Sequence, residues 1–287
     1  MAGTSNIVTG DIVMDAVRAA DHDRYLSALY APAVKRDALL ALYAFNAEIA
    51  GVRDRIHEPL PGEVRLQWWR DVIAADGDAD TGNPIADALR ATIATNRLPK
   101  AAFDNMLEAR IFDLYDDPMP SRTDLEGYCG ETAAALIQLA AMVLDPVAAP
   151  GFAELAGRAG CAQAITGLLL LLPLHRRRGQ CFVPADILAA AGTTSEEFVK
   201  GEGGAAAERA VAAMIALARE HLNAFEKAAP ALPVSLRPAF LPLALTRAYL
   251  DRMEKAGWSP LSTKAALSTL RRHWLLLRHA MRGWAPL

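Results

Sequence analysis

Two carboxylates about one helical turn apart can hold a divalent cation between them, or can be claimed by arginines. In "LYAFNAEIAGVRD", residues 42–54, the acids of an otherwise apolar stretch are Glu48 and Asp54. They suit either a cation or polar-ligand site or a salt bridge to Arg53, Arg55 or an arginine of another helix, because buried carboxylates are normally paired. "DLYDD" (113–117) holds an acidic pair one turn apart, Asp113 and Asp117 at i, i+4, but it stands before Pro118 and reads as a solvated helix end. "DGDAD" (76–80) opens like a calcium loop, with Asp76, Asp78 and Asp80 at positions one, three and five and Asp87 at twelve. Thr81 stands where such a loop needs glycine, and twelve should be glutamate, so a solvated loop is expected.

The cations are clustered too. Arg65 and Arg70 flank two tryptophans in "RLQWWRDVI" (65–73). They suit an anion clamp or a partner contact, or helix-surface pairing with Asp71 or Glu63 while Trp68 and Trp69 pack in the core. His175, Arg176, Arg177 and Arg178, followed by Gln180, form the densest basic run. It could take a lipid phosphate or an acidic partner, or be a solvated loop. Residues 271–284, "RRHWLLLRHAMRGW", place Arg271, Arg272, Arg278 and Arg282 beside Trp274, Leu275, Leu276, Met281 and Trp284. That is the composition of a membrane-surface helix, or of a terminal helix docked on the core.

The elements that must position these groups are helical. Apolar residues recur every three or four positions and alternating patterns are scarce. Helices are expected over roughly 11–30, 33–54, 61–75, from Pro84 to before Leu98, from Pro99 to the "DDPMP" at 116–120, 123–144, 152–172, after Pro184, 208–229, 237–256 and 262–284. "GTTSEEF" (192–198) is a capped helix start. The 287 residues are 53% hydrophobic and 22% charged, with a net charge of −3, which gives no general drive toward nucleic acid. Three dispersed cysteines argue against a disulfide framework and against a zinc motif. The start of the chain lacks the apolar segment of a signal peptide. The run from Ile165 to Leu174 is too short to span a bilayer, which needs about 20 residues. A cytoplasmic protein forming one helical domain over residues 1–287 is expected.

Three stretches resemble the squalene/phytoene synthase family: residues 42–54, 65–73 and "GCAQAITGLLLLLPLHRRRGQCFVP" (160–184). The resemblance implies an all-α isoprenoid synthase fold with helices around a central cavity. It also implies, for active members, two D-x-x-x-D motifs that hold Mg²⁺ against a substrate diphosphate and so stabilise it as a leaving group. The motif positions here are Ala50 and Asp54 in the first region, and Leu171 and His175 in the second. Gln180 takes the place of the family's arginine. Hydrocarbon cannot ligate Mg²⁺, and imidazole is a poor ligand for a hard cation.

The resemblance is nearer to the family's branch of complex I assembly factors, which also lack the aspartate pairs. It implies a non-catalytic protein with no metal cofactor that binds respiratory complex subunits or assembly factors. The leucine run is then a core helix filling the former metal-lined cavity, and "HRRRGQ" the loop at its end. Two alternatives remain. One is an active head-to-head prenyl-diphosphate transferase with Mg²⁺ on a changed set of acids, Glu48, Asp54 and Glu131 among them. The other is an isoprenoid or lipid carrier. Peripheral contact with the inner face of a bacterial membrane through 271–284 is also expected.

Overall fold

The computed structural model describes residues 2–75, 77, 80–255 and 265–284, with side chains from residue 10 onward. Among these every regular element is helical. The chain opens with α1 (Ala2–Ala20), α2 (His22–Ala28), α3 (Ala33–Ala50) and the single turn α4 (Val52–Arg55), then α5 (Pro59–Ala74), α6 (Pro84–Asn96) and α7 (Lys100–Ile111). Next come α8 (Arg122–Cys129), a π-helical turn (Gly130–Ala134) and α9 (Ala135–Leu144), without interruption. α10 (Ala153–Leu170), α11 (Leu172–Arg177), α12 (Ala185–Ala191), α13 (Ser195–Lys200) and α14 (Gly204–Ala228) follow. The last are α15 (Arg237–Phe240), a 3₁₀ segment (Leu241–Leu245), α16 (Thr246–Met253) and α17 (Thr269–Arg282).

Two compact units result. The first is drawn from Met1–Tyr115, Ala135–Ala153 and Pro233–Ala239, the second from Asp116–Ala134, Glu154–Leu232 and Phe240–Leu287. In the first unit α3 is central and packs against α1, α6 and α9. Its residues Leu39–Phe45 are all buried, as a helix apolar nearly all round requires. Phe45 meets Trp69 of α5 edge-on at 5.1 Å and Phe103 of α7 at 5.6 Å. Fully burying one such ring stabilises by roughly 1.5–3 kcal/mol. Gly62 lets α5 approach Leu114, whose Cδ2 would lie 2.7 Å from an added Cβ.

In the second unit α14 carries the longest apolar face, with Ala207, Ala210, Val211, Met214, Ala218, Leu222 and Phe225 buried at three- and four-residue spacing. It packs against α12 and α16. Phe225 stacks on Phe240 at 5.9 Å and receives Trp284 edge-on at 5.1 Å. Local chemistry sets many ends: Asn83 caps α6 by accepting from the amides of Ile85 and Ala86, with Pro84 in the first turn, and Thr194 and Glu197 form a capping box on α13.

Several expected boundaries shift. The first helix divides at Asp21, whose side chain accepts from the Arg24 amide and starts α2. The helix expected to reach Asp54 stops at Ala50, where Gly51 turns the chain. The helix expected from Arg237 is broken over residues 237–253 into three pieces around Pro242, which can donate no backbone hydrogen bond. The expected end at Ala256, the expected start at Ser262, and Asp76 and Asp78 of the calcium-like loop lie outside the described residues. Of that loop's other members, Asp87 accepts from the Thr81 amide and hydroxyl, and Asp80 from the Gly82 amide. Asp113 is not a solvated helix end: it is buried and paired with Arg110 at 2.9 Å, because α7 tightens into a 3₁₀ turn that folds it inward.

Candidate functional site

In the first unit, Ala50 is the last residue of α3 and Asp54 sits exposed on α4. They belong to different helices, since the Asp54 amide bonds back to the Gly51 carbonyl at 3.2 Å. Glu48 is engaged by two arginines. Arg55 Nη1 donates to its Oε1 at 2.9 Å, and Arg65 Nη2 lies 3.6 Å from its Oε2. Arg65 also lies over the Trp68 ring, 4.4 Å from the centroid.

Arg70 does not pair with Asp71 or Glu63. Its Nε donates to Asp104 of α7 at 3.0 Å and its Nη2 to Glu108, because one face of α5 packs on α7. Gln67 donates to Asp71, and the Tyr115 hydroxyl donates to Glu63. Trp69 is fully buried, whereas Trp68 is half-buried beneath Arg65.

In the second unit, α10 ends at Leu170, and Leu171 is 40% exposed rather than packed in the core. The cause is Pro173, which has no N–H for the Leu169 carbonyl and would crowd it in a continuous helix. The helix restarts as α11, so His175–Arg177 are helical and not a loop. His175 is buried against Phe182, ring centroids 4.7 Å apart, and Gln180 is buried too.

The basic run splits in direction. Arg176 donates from Nε to the Phe198 carbonyl at 3.0 Å and so caps the end of α13, while Arg177 is exposed and Arg178 half-buried. Gly179, at φ +78°, supplies the left-handed turn that follows α11.

These positions do not fit Mg²⁺. A hard cation needs several oxygen donors. Ala50 and Leu171 offer hydrocarbon, His175 an imidazole packed on a ring, and the Glu48 carboxylate is held by Arg55 and Arg65. Among the described residues no three His, Cys, Asp or Glu side chains lie close enough to hold a metal ion.

Three polar features were not singled out by the sequence reading. The Tyr43 hydroxyl, on α3, is buried without a hydrogen-bond partner. Burial pushes its phenol up to about 12, against the pull of nearby Arg24. In the second unit, His221 Nε2 shares a 2.9 Å hydrogen bond with Glu126 Oε1, while its Nδ1 is buried without a partner. Burial pushes the Glu126 carboxyl up, but hydrogen bonds from His221 and Arg122 outweigh it and hold the group below its ordinary value. The Arg122–Glu126 spacing of four was legible; a partner 95 residues away was not. Finally, Cys161, hydrogen-bonded to Cys129, has its thiol held below the ordinary range despite burial.

Residues 17–275 match the profile of the squalene/phytoene synthase family. A complex I assembly factor 6 from Bos taurus is 27% identical over 251 residues, covering 85% of this chain and 74% of the relative. A presqualene diphosphate synthase from Sinorhizobium fredii is 24% identical, covering 90% and 92%. The crystal structure of a dehydrosqualene synthase in complex with ligand superposes with a TM-score of 0.80 at 18% identity, covering 96% of each chain. At that identity the superposition establishes the all-α isoprenoid synthase fold alone. With its profile matched over most of its length, the chain belongs to the squalene/phytoene synthase family.

Proposed function

We propose that this protein is a non-catalytic member of the family that acts by binding a protein partner during assembly of a respiratory NADH:quinone complex. The observation that carries the reading is the donor set at the four motif positions. Hydrocarbon stands at Ala50 and Leu171, His175 is packed against the Phe182 ring, and Asp54 is the single carboxylate. Without a cluster of carboxylates a diphosphate has no bound Mg²⁺ to stabilise its departure, and an ionised prenyl cation has no counter-charge. The reading needs no metal cofactor and places the protein on the cytoplasmic side of the membrane. The similarity to proteins named as complex I assembly factors supplies the partner class.

Deleting the gene tests it. The expected result is a fall in membrane NADH:quinone activity with isoprenoid products unchanged. Loss of isoprenoid products with intact NADH:quinone activity would overturn it. That second outcome is what the similarity to presqualene diphosphate synthase favours, through an active transferase with rearranged acids.

A further inference from the structure

α17 presents an exposed apolar ridge. Leu270 and Met281 are 82% and 72% exposed, and Trp274 and Leu277 stand exposed between them. The four recur at i, i+4, i+7 and i+11. At about 100° per residue they fall within an arc of roughly 60° and run about 16 Å along the helix. The opposite face is anchored. Leu276 is fully buried, α17 packs on the 3₁₀ segment Leu241–Leu245, and Arg272 donates to the Tyr249 hydroxyl at 3.2 Å. Leu276 and Trp284 are therefore inner residues, and Leu270 and Leu277 are outer ones.

Cations line one edge of the ridge. Arg271, Arg278 and Arg282 fall roughly 80–120° round from its first residue. The Arg278 guanidinium lies over the Trp274 ring, 5.6 Å from the centroid. No Asp or Glu stands between Lys255 and Leu287, so the segment that carries α17 is cationic within a chain of net charge −3. The nearby acids on α14 and α16 are already engaged: Glu226 by Arg247, and Asp251 and Glu254 by Arg219.

We infer that this ridge is a docking surface for an anionic lipid bilayer, with Leu270, Trp274, Leu277 and Met281 entering the headgroup–acyl boundary and the arginines at headgroup level. The shape selects the occupant. A protein partner would need a groove matched to a convex ridge, whereas a bilayer interface accepts a ridge without one. The charge selects the lipid, since a row of arginines beside an apolar band complements anionic headgroups.

The test is co-sedimentation of the full-length protein with vesicles of phosphatidylcholine alone or mixed with phosphatidylglycerol. The mixed vesicles are expected to retain it at least about tenfold better at low salt and to release it at about 0.5 M salt. Trp274→Ser with Leu277→Ser is expected to reduce retention about tenfold or more. These side chains are exposed, so an unchanged far-ultraviolet circular dichroism spectrum shows that the variant folds. Arg278→Ser with Arg282→Ser should weaken retention on mixed vesicles only. Absence of retention on both vesicle types overturns the inference, as does equal retention of the Trp274/Leu277 variant. A dimer in solution that the same variant breaks would assign the ridge to a second copy and overturn it too.

Discussion

Arg55 reaches back seven residues to hold Glu48 by three hydrogen bonds, its Nη1 and Nη2 donating to the carboxylate at 2.9 and 3.2 Å and its Nη2 also to the Glu48 carbonyl oxygen at 2.7 Å. The bonds brace the chain across the turn at Gly51, where α3 gives way to α4. An acid that could have served a cation is thereby part of the scaffold. Glu48→Gln should cost about 0.5–1 kcal/mol of stability by urea denaturation, the scale of a partly exposed ion pair. Its thermal midpoint should be the same with and without Mg²⁺, as should that of the unaltered protein. A Mg²⁺-dependent rise lost in the variant would put the carboxylate in a metal site.

Glu126 and His221 make the clearest electrostatic prediction. The folded state holds the Glu126 carboxyl below its ordinary value of 4.5. Its contribution is therefore complete above pH 4.5 and is lost as pH falls below that value. Glu126→Ala removes the partner of Nε2 on the buried His221. The cost should be about 1–3 kcal/mol near pH 7. The gap between variant and unaltered protein, measured by denaturation across pH, should narrow on the acid side. A gap independent of pH would contradict the assignment.

Tyr43→Phe should be neutral or stabilising by about 1 kcal/mol, because the deleted hydroxyl is buried without a partner. Thermal unfolding measures it. A loss of more than about 1 kcal/mol would mean that the hydroxyl is satisfied by a bound group.

Gly160 lies against the backbone of Ala134 in the π-helical turn, so closely that an added Cβ would overlap it. Gly160→Ala must separate α10 from that turn, and should cost about 1–3 kcal/mol in chemical denaturation. An unperturbed midpoint would show that the two helices yield without cost.

Much of this architecture was legible in the sequence, and the losses have physical causes. Three- and four-residue apolar spacing, Asn83 before Pro84, and Thr194 with Glu197 announce their helices because the signal is local. The break at Gly51 was hidden, since a lone glycine does not by itself end a helix and the arginine that braces the turn, Arg55, reaches back from seven residues beyond Glu48. The restart after Leu171 was visible in Pro173 but was outweighed by five consecutive leucines. The outer face of α17 could not be phased from composition, because leucines occupy both sides. The ion pair of Arg70 with Asp104 and the bond of Glu126 with His221 join residues far apart in sequence, and no spacing rule reaches them.

The chain belongs to the squalene/phytoene synthase family, and three of the four positions that the resemblance assigns to metal-holding aspartates carry no carboxylate. The most direct measurement is release of inorganic pyrophosphate from farnesyl or geranylgeranyl diphosphate incubated with the purified protein and Mg²⁺. The predicted result is a rate no greater than that of buffer alone. Pyrophosphate released at an enzymatic rate, together with a head-to-head prenyl product, would contradict the account.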